Sequence, residues 1–324
     1  MIQFYKAFVL WNFKQGNRAD FVAAYYGIDP ATIPDAEPSL GIQARLSAEA
    51  SRELGLAEGT PIAYRAGDQP NNAFSLNVME PGELAATGGT SGVVYGVTDR
   101  PEADPLSRVN TFLHVNHTPE APRYGVLLCI NGTGILNAWI KRVAVPTATY
   151  DQVNELAATV PAGSDGLLML PFGNGAERML ENRYTGACVS DIDLNRHTTA
   201  HLLRAAQEGI AFAFRYGLDI MRGMGLNARV IRAGQANLFL SPLFRRTLAT
   251  VCDVDIELYN TDGALGAARG AALGAGLYRD RAEAFASLRR LSEVHPCPGE
   301  AAVLEDTYQR WKKELEAQLS ALAS

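Results

Sequence analysis

The sequence lacks the features that mark membrane, secreted and nucleic-acid-binding proteins. None of its apolar runs approaches the roughly 18 residues that a membrane-spanning helix needs. Lys and Arg form no basic block and the net charge is −6, so we expect neither a membrane span nor a nucleic-acid surface. The start, MIQFYKAFVLW, is interrupted by Lys6 and is followed by no small-residue cleavage site. We therefore expect no signal peptide.

The sequence is also poor in residues that bind transition metals. Its four cysteines are far apart and form no CxxC pair, which predicts buried thiols in a reducing cytoplasm. His197 and His201 are spaced i, i+4, but the segment HTTAH lacks the glutamate of a zincin, and His114 and His117 form no known ligand pattern. We expect structural or solvent-facing histidines and no metal held by side chains. There is no Walker GK[ST] loop and no GxGxxG turn.

What remains is an ordinary globular composition, with 47% apolar and 20% charged residues over 324 positions. Strand patterns alternate with helix patterns after an initial hairpin, which favours an α/β fold. Residues 9–28 predict a turn and a helix with Phe21, Val22, Tyr25 and Tyr26 on one face. Two longer helices are predicted at 198–223 and at 300–322. The second carries an apolar stripe of Leu304, Tyr308, Trp311, Leu315, Leu319 and Leu322.

Three glycine-rich turns follow predicted strands. TGGTSG, at 87–92, joins two strands, and its glycines and exposed N–H groups suit either a plain hairpin or an anion concavity for a nucleotide phosphate. RAGQAN, at 232–237, joins a strand to a helix and is either a tight turn or a nucleotide cradle. INGTGILNAW, at 130–139, places a third glycine turn at a helix start.

Two acidic residues lie in loops where a structural interpretation competes with a functional one. Asp68, in YRAGDQPNN, is either a turn residue or the base of an enzyme. Glu177, in PFGNGAER, precedes Arg178, and the structural interpretation of this neighbouring pair is a surface salt bridge.

The order of these motifs carries more information than any one of them. Along the chain come GLAEGTP, AGDQ, PGELAATGGTSGVVYGVTD, HLLRAAQEGIAF, AGQANLFLSPLFRRTLATV and ALGAARGAA. This series resembles the FGGY family of carbohydrate kinases, and its details are most similar to the bacterial xylulose kinases. The resemblance extends from Trp11 to Tyr278. It implies an actin/hexokinase-like (ribonuclease H-like) α/β fold of two lobes with a nucleotide cleft between them.

The resemblance also implies roles for particular residues. Asp68 matches the catalytic aspartate of the family and, with Gln69, would contact the sugar. ATP, accompanied by Mg²⁺ that no side chain is expected to hold, would be bound by Gly89, Thr90, Ser91, Gly132, Gly134, Gly234, Gln235, Ala236 and Asn237. One departure is Ala233, which stands where the family commonly has the first of two glycines.

A second departure concerns the first lobe. That lobe of the family opens with a strand ending in D-x-G-[TS], and this sequence contains no such segment. We therefore expect the chain to correspond to the C-terminal part of a sugar kinase. Residues 1–75 would form the tail of the sugar-binding lobe, 76–290 the nucleotide-binding lobe, and 291–324 a C-terminal helix.

The resulting hypothesis is ATP-dependent phosphorylation of D-xylulose to D-xylulose 5-phosphate by a cytoplasmic enzyme. Ribulose, fuculose, gluconate and glycerol stay open as substrates. A non-catalytic nucleotide-binding remnant is a second hypothesis, and an actin- or chaperone-like ATPase is a third. A homodimer is possible through the helix at 300–322, although we expect that helix to pack back on its own lobe.

Overall fold

The computed structural model describes residues 10–33 and 37–322. The first nine residues of MIQFYKAFVLW, including Lys6, lie outside the described residues. Of the helices in the described part, none has both the length and the apolar character needed to cross a bilayer.

The first part of the chain forms two small antiparallel strand pairs with short helices. The pairs are β1 (Trp11–Asn12) with β2 (Asn17–Arg18), and β3 (Leu40–Arg45) with β4 (Pro61–Tyr64). The helices are α1 (Asp20–Tyr25), a 3₁₀ turn (Pro30–Thr32), α2 (Ala48–Leu54) and α3 (Asp68–Ser75).

The aromatic face predicted for the first helix is not buried. Helix α1 spans six residues, and Phe21, Tyr25 and Tyr26 are all more than two-thirds exposed. The small core beside α1 is instead built on Ala23 and Leu10. Helical spacing placed the aromatic residues together correctly, but nothing in the described part of the chain covers them.

The centre of the fold is a mixed sheet of seven strands in the order β13-β12-β11-β5-β6-β8-β7. Strands β5, β11 and β12 are parallel neighbours, and every other pairing in this sheet is antiparallel. Strands β9 and β10 form a separate antiparallel pair. The bounds are β5 (Glu83–Gly88), β6 (Gly92–Thr98), β7 (Asn110–Leu113), β8 (Tyr124–Ile130), β9 (Leu168–Leu170), β10 (Cys188–Ser190), β11 (Val230–Gly234), β12 (Asp255–Tyr259) and β13 (Arg290–Val294).

Helices cover both faces of this sheet, which confirms the α/β prediction. The main apolar core joins one face to α6, α7 and α10, and a smaller cluster packs α3 on the other face. The helices are α4 (Gly134–Ala144), α5 (Tyr150–Ala158), α6 (Thr199–Gly223), α7 (Pro242–Cys252), α8 (Gly263–Gly274), α9 (Arg281–Ala284) and α10 (Pro298–Ala321), with 3₁₀ turns at Ser164–Gly166, Arg178–Leu180 and Asn237–Leu240.

The last helix packs back on the same chain, as expected. Five residues of its predicted stripe are buried in the main core, namely Leu304, Tyr308, Trp311, Leu315 and Leu319. The sixth, Leu322, is 54% exposed because it lies just beyond the end of α10.

Helix α8 packs on the β3–β4 pair through its small residues. A Cβ on Gly270 would meet the ring of Tyr64, and a Cβ on Gly274 would collide with the carbonyl oxygen of Ala63. The glycines therefore let helix and strand approach more closely than any side chain would allow. This contact joins the early part of the chain to the central sheet.

Candidate functional site

Four strands of the central sheet end at the same edge, which we call the carboxyl edge. Strands β5, β11 and β12 are parallel, and β8 runs in their direction because both β5 and β8 are antiparallel to β6. The three glycine-rich turns predicted from the sequence therefore meet at this edge. In open α/β sheets, the carboxyl ends of parallel strands are the usual place for a ligand.

A cavity of about 410 Å³ opens at the carboxyl edge, within the size range of small-molecule sites. Four of the predicted ATP-site residues line it: Gly89, Thr90, Gly134 and Asn237. The other five lie in or beside the same turns without lining it: Ser91, Gly132, Gly234, Gln235 and Ala236. The remaining lining residues are Gly88, Ile135, Asn137, Ala138, Tyr150, Asp151, Asn154, Leu238, Leu240 and Ser241.

Two of the glycine turns are hydrogen-bonded to each other. The N–H of Gly134 donates to the carbonyl of Gly89 at 2.9 Å, and the N–H of Ile135 donates to the carbonyl of Thr90 at 3.1 Å. A Cβ on Gly134 would collide with the Gly89 oxygen. The start of α4 therefore supports the β5–β6 turn from behind, and only a glycine permits this contact.

The β5–β6 turn retains unused donors. The N–H groups of Thr90 and Ser91 have no acceptor within the described part of the chain. Thr90 is exposed and Ser91 half-buried. Successive free N–H groups in a turn form a concavity that suits an anion, so the turn has the donor set that a phosphate group requires.

Glu177 is not part of the surface salt bridge considered from the sequence. It is 1% exposed, and its two carboxylate oxygens accept the N–H groups of Asn131 and Gly132, each at 2.9 Å. Burial raises the pKa of Glu177, and these two hydrogen bonds act in the opposite direction. Arg178 donates elsewhere, to the carbonyl of Ser107 at 2.7 Å. Sequence adjacency suggested the wrong partner, since the two actual donors lie 46 and 45 residues away.

The RAGQAN turn, which follows β11, lies beside the β5–β6 turn because β11 pairs with β5. Parallel pairing of β11 with β5 brings Gly234 and the residues after it next to Gly89. Asn237 has a left-handed backbone, with φ of 53°, and its side-chain nitrogen lies 3.7 Å from the position a Cβ on Gly89 would take. Gln235 and Ala236 are exposed on the same turn.

The sequence did not predict three polar residues that line the cavity, Asn137, Asn154 and Ser241. Ser241 donates to Gln207 at 2.7 Å, and Gln207 donates to Asn154 at 2.9 Å. Asn137 is buried, and its Oδ1 accepts no hydrogen bond from the described residues. Capping signals at the starts of α5 and α7 could have located Tyr150 and Ser241. Nothing in the local sequence indicated that the two asparagines face one cavity.

Asp68 is the first residue of α3 and is exposed, but it does not line the cavity. Its oxygens accept the backbone N–H of Gln69 at 2.8 Å and the Gln69 side-chain amide at 3.2 Å. Asn71 donates to the carbonyl of Gly263 at 2.8 Å, which holds α3 beside the residues that follow β12. Because those residues follow a strand that ends at the carboxyl edge, this contact places the start of α3, and with it Asp68, near that edge.

The histidines have protein partners. His114 is buried between the Tyr95 hydroxyl at 3.1 Å and the Val78 carbonyl at 3.0 Å. His197 and His201 both contact Asp165. These contacts give the three rings structural roles.

One cluster of side chains has ligand atoms close enough to hold a metal ion. In the described residues, ligand atoms of Asp255 on β12, Glu293 on β13 and His295 just after β13 lie within 4.8 Å of one another. Asp255 begins β12, so this cluster lies at the opposite end of that strand from the carboxyl edge. It is separate from the candidate site.

Comparison with known proteins agrees with the geometry. Residues 84–277 match the FGGY family of carbohydrate kinases, C-terminal domain. The chain is 27% identical over 286 residues to a xylulose kinase of Haemophilus influenzae, covering 86% of this chain and 55% of that protein. It is 28% identical over 196 residues to a gluconokinase of Bacillus subtilis, covering 57% of this chain and 37% of that protein.

The fold is shared with a solved relative. The crystal structure of xylulose kinase from Rhodospirillum rubrum superposes with a TM-score of 0.84 at 26% identity, covering 96% of this chain and 62% of that one. This likeness confirms the actin/hexokinase-like fold. The chain thus spans a little over half the length of the xylulose kinases that it matches.

Proposed function

Since the chain belongs to the FGGY family of carbohydrate kinases, we propose that it carries the nucleotide site and the catalytic base of a sugar kinase. The reaction is transfer of the γ-phosphoryl group of ATP to a sugar hydroxyl, with D-xylulose as the substrate. One observation supports this most strongly, namely the convergence of three glycine turns on one cavity at the carboxyl edge. The resemblance of the motifs around Asp68 favours xylulose over the other sugars.

The residues present fit a nucleotide. The free N–H groups of Thr90 and Ser91 would hold phosphate oxygens. The cavity between α4, α5 and the turn ending at Asn237 has room and polar groups for the adenosine side. Mg²⁺ would enter with ATP, held by few protein groups, and would supply positive charge that offsets the charge of the phosphates.

Asp68 would act as general base. In phosphoryl transfer the protein mainly positions the reactants and accepts the proton of the attacking hydroxyl. The exposed carboxylate at the start of α3 can receive a hydroxyl group approaching from solvent. Gln69 beside it offers a second polar group to the sugar, and its Oε1 is buried without a partner in the described residues.

A second candidate function is nucleotide binding without phosphorylation. The sequence lacks the D-x-G-[TS] segment that contacts phosphates in the first lobe of the family. Without that segment, the cavity would still bind nucleotide, but the transferred phosphoryl group would lack part of its support. The two candidates differ in turnover and agree in nucleotide affinity.

The test is a coupled assay of this chain with MgATP and each of D-xylulose, ribulose, gluconate and glycerol, together with calorimetric binding of ADP. We expect turnover to be fastest on D-xylulose. Asp68→Asn should lower turnover by about 10²- to 10⁴-fold, the range of general acid–base catalysis, with ADP affinity unchanged.

Asp20→Asn is the matched control, because Asp20 is also the exposed first residue of a helix. This substitution should change neither turnover nor ADP affinity. ADP binding with no turnover on any sugar would favour the second candidate. Normal turnover of Asp68→Asn would show that Asp68 is not the general base. Absence of ADP binding would contradict both candidate functions.

A further inference from the structure

Glu177 is a buried carboxylate to which the proposed reaction assigns no role. Both of its oxygens are used by backbone N–H groups, those of Asn131 and Gly132. None of the ion pairs within the described residues includes it. Burying a carboxylate without a cation beside it costs free energy. The position of Glu177 therefore calls for a structural or functional explanation.

The segment that Glu177 holds is the turn leading into α4. The loop that carries Glu177 makes two further hydrogen bonds to this turn: Asn174 donates to the carbonyl of Asn131 at 3.2 Å, and Asn131 donates to the carbonyl of Ala176 at 2.8 Å. A Cβ on Gly132 would collide with the carbonyl oxygen of Pro171. The turn therefore has little freedom while Glu177 is in place.

The turn that Glu177 holds also supports the β5–β6 turn at the cavity. Beyond Thr133, the N–H groups of Gly134 and Ile135 donate to the carbonyls of Gly89 and Thr90. Those two carbonyls belong to the peptide groups whose N–H donors are on Thr90 and Ser91. A peptide group whose carbonyl accepts a hydrogen bond is a stronger donor at its N–H, because hydrogen bonds in series polarise one another. The free donors at the cavity are thus oriented and strengthened from behind.

We propose that Glu177 is a positioning residue of the nucleotide site, which acts through the 131–134 turn to hold the N–H groups of Thr90 and Ser91 toward the phosphates. The inference rests on the proposed function for the identity of the anion. It assigns Glu177 to the phosphate end of the nucleotide and gives it no contact with the base or ribose.

The experiment compares calorimetric affinities for ADP and for adenosine in the wild-type chain, Glu177→Gln and Glu177→Asp. Glutamine keeps the shape but presents an amide donor to one of the two N–H groups, and aspartate keeps the charge but is one methylene too short. We expect either variant to bind ADP about ten-fold more weakly, the loss typical of one charged hydrogen bond. Adenosine affinity should stay within two-fold in each, roughly the precision of the comparison.

Glu181→Gln is the matched control, since Glu181 lies in the same loop but forms an exposed ion pair with Arg183. It should leave both affinities unchanged. Equal ADP affinity in wild type and Glu177→Gln would overturn the proposal while leaving the proposed function intact. Parallel losses of ADP and adenosine would reduce Glu177 to a general structural role and overturn it as well. If wild type binds no ADP, the proposed function itself fails. Should the glutamine variant not fold, the aspartate variant carries the same comparison.

Discussion

The ion pair between Arg204 and Glu208 is almost completely buried. The two side chains are each 1% exposed, and Nε of Arg204 lies 2.7 Å from Oε1 of Glu208. Glu208 also accepts the Gly163 N–H at 3.0 Å and the Ser164 hydroxyl at 2.8 Å. Ser164 and Asp165 both have φ of 49°, a conformation that side chains disfavour. The pair therefore holds a strained loop in place.

We expect Glu208→Gln to lower the free energy of unfolding by about 3–5 kcal/mol, because it leaves the Arg204 charge buried without a counter-charge. Urea denaturation measures the change. Glu305→Gln removes a carboxylate that is half-exposed and 3.8 Å from Arg215, and it should lower the free energy of unfolding by less than about 1 kcal/mol. If the two substitutions lowered the free energy of unfolding equally, burial would not determine how much an ion pair contributes to stability.

At the residue scale, the sequence indicated the local setting of a side chain better than its hydrogen-bond partners. The sequence indicates that Asp68 is either a turn residue or the base of an enzyme, and in the structure it is the first residue of α3. Its role as a base stays a prediction until turnover is measured. Glu177 was interpreted with its neighbour Arg178, whereas its donors are far away in sequence. A long-range bond to a backbone N–H leaves no signal in either segment, because any residue can supply that donor.

Among the elements, α10 shows how periodicity succeeds. The apolar residues recur at helical spacing, and all but Leu322 of the stripe are buried. Helix α1 has similar spacing, but its aromatic residues are exposed. Periodicity reports which side chains share a face. It does not report whether another element covers that face, which depends on the rest of the fold.

Trp311 is the centre of the α10 contact. It is fully buried, its indole N–H donates to the carbonyl of Met169 at 2.9 Å, and its ring packs near Phe172, Phe212 and Tyr308. We expect Trp311→Ala to lower the free energy of unfolding by about 3–5 kcal/mol, since it removes a large buried ring and leaves the Met169 carbonyl without its donor. Thermal and urea unfolding measure this loss.

Leu322→Ala is the control for this helix, because Leu322 continues the stripe but is exposed beyond the end of α10. Its effect should be within about 0.5 kcal/mol. A small loss for Trp311→Ala would indicate that α10 contributes little to the core, contrary to its burial.

For the whole molecule, the alternation of strands and helices predicted the α/β class, and the order of motifs predicted the family. The strand order could not be predicted from local patterns. Pairing of β5 with β11, for example, joins two strands that have five other strands between them in the chain. We propose that the boundary between the two lobes lies at residues 75 and 76, as the resemblance implied.

The contact of α8 with the β3–β4 pair crosses that proposed boundary. Gly274→Ala would push the new methyl group into the carbonyl of Ala63. We expect it to lower the free energy of unfolding by about 1–3 kcal/mol, the usual effect of overpacking, and to speed proteolysis within residues 40–75. Denaturation and limited proteolysis followed by mass spectrometry measure the two effects.

Gly223→Ala serves as the comparison. Gly223 ends helix α6, and a Cβ added to it would meet no other atom within 4 Å among the described residues. That substitution should be neutral or stabilise by up to about 1 kcal/mol. If both substitutions behaved alike, the close approach of α8 to β4 would have no energetic importance.

The pairing of β5 with β11 also has a consequence for the order of events during synthesis. The β5–β6 turn leaves the ribosome before β11, which emerges only after β7 to β10 and the long helix α6. Chains are made at about 5–20 residues per second, so the hairpin waits several seconds for its parallel neighbour. Contacts between such distant segments form slowly because a long loop must close first. The cavity at the carboxyl edge is therefore complete only after β11 has docked, and a ligand of that cavity could stabilise the nascent chain only from that moment.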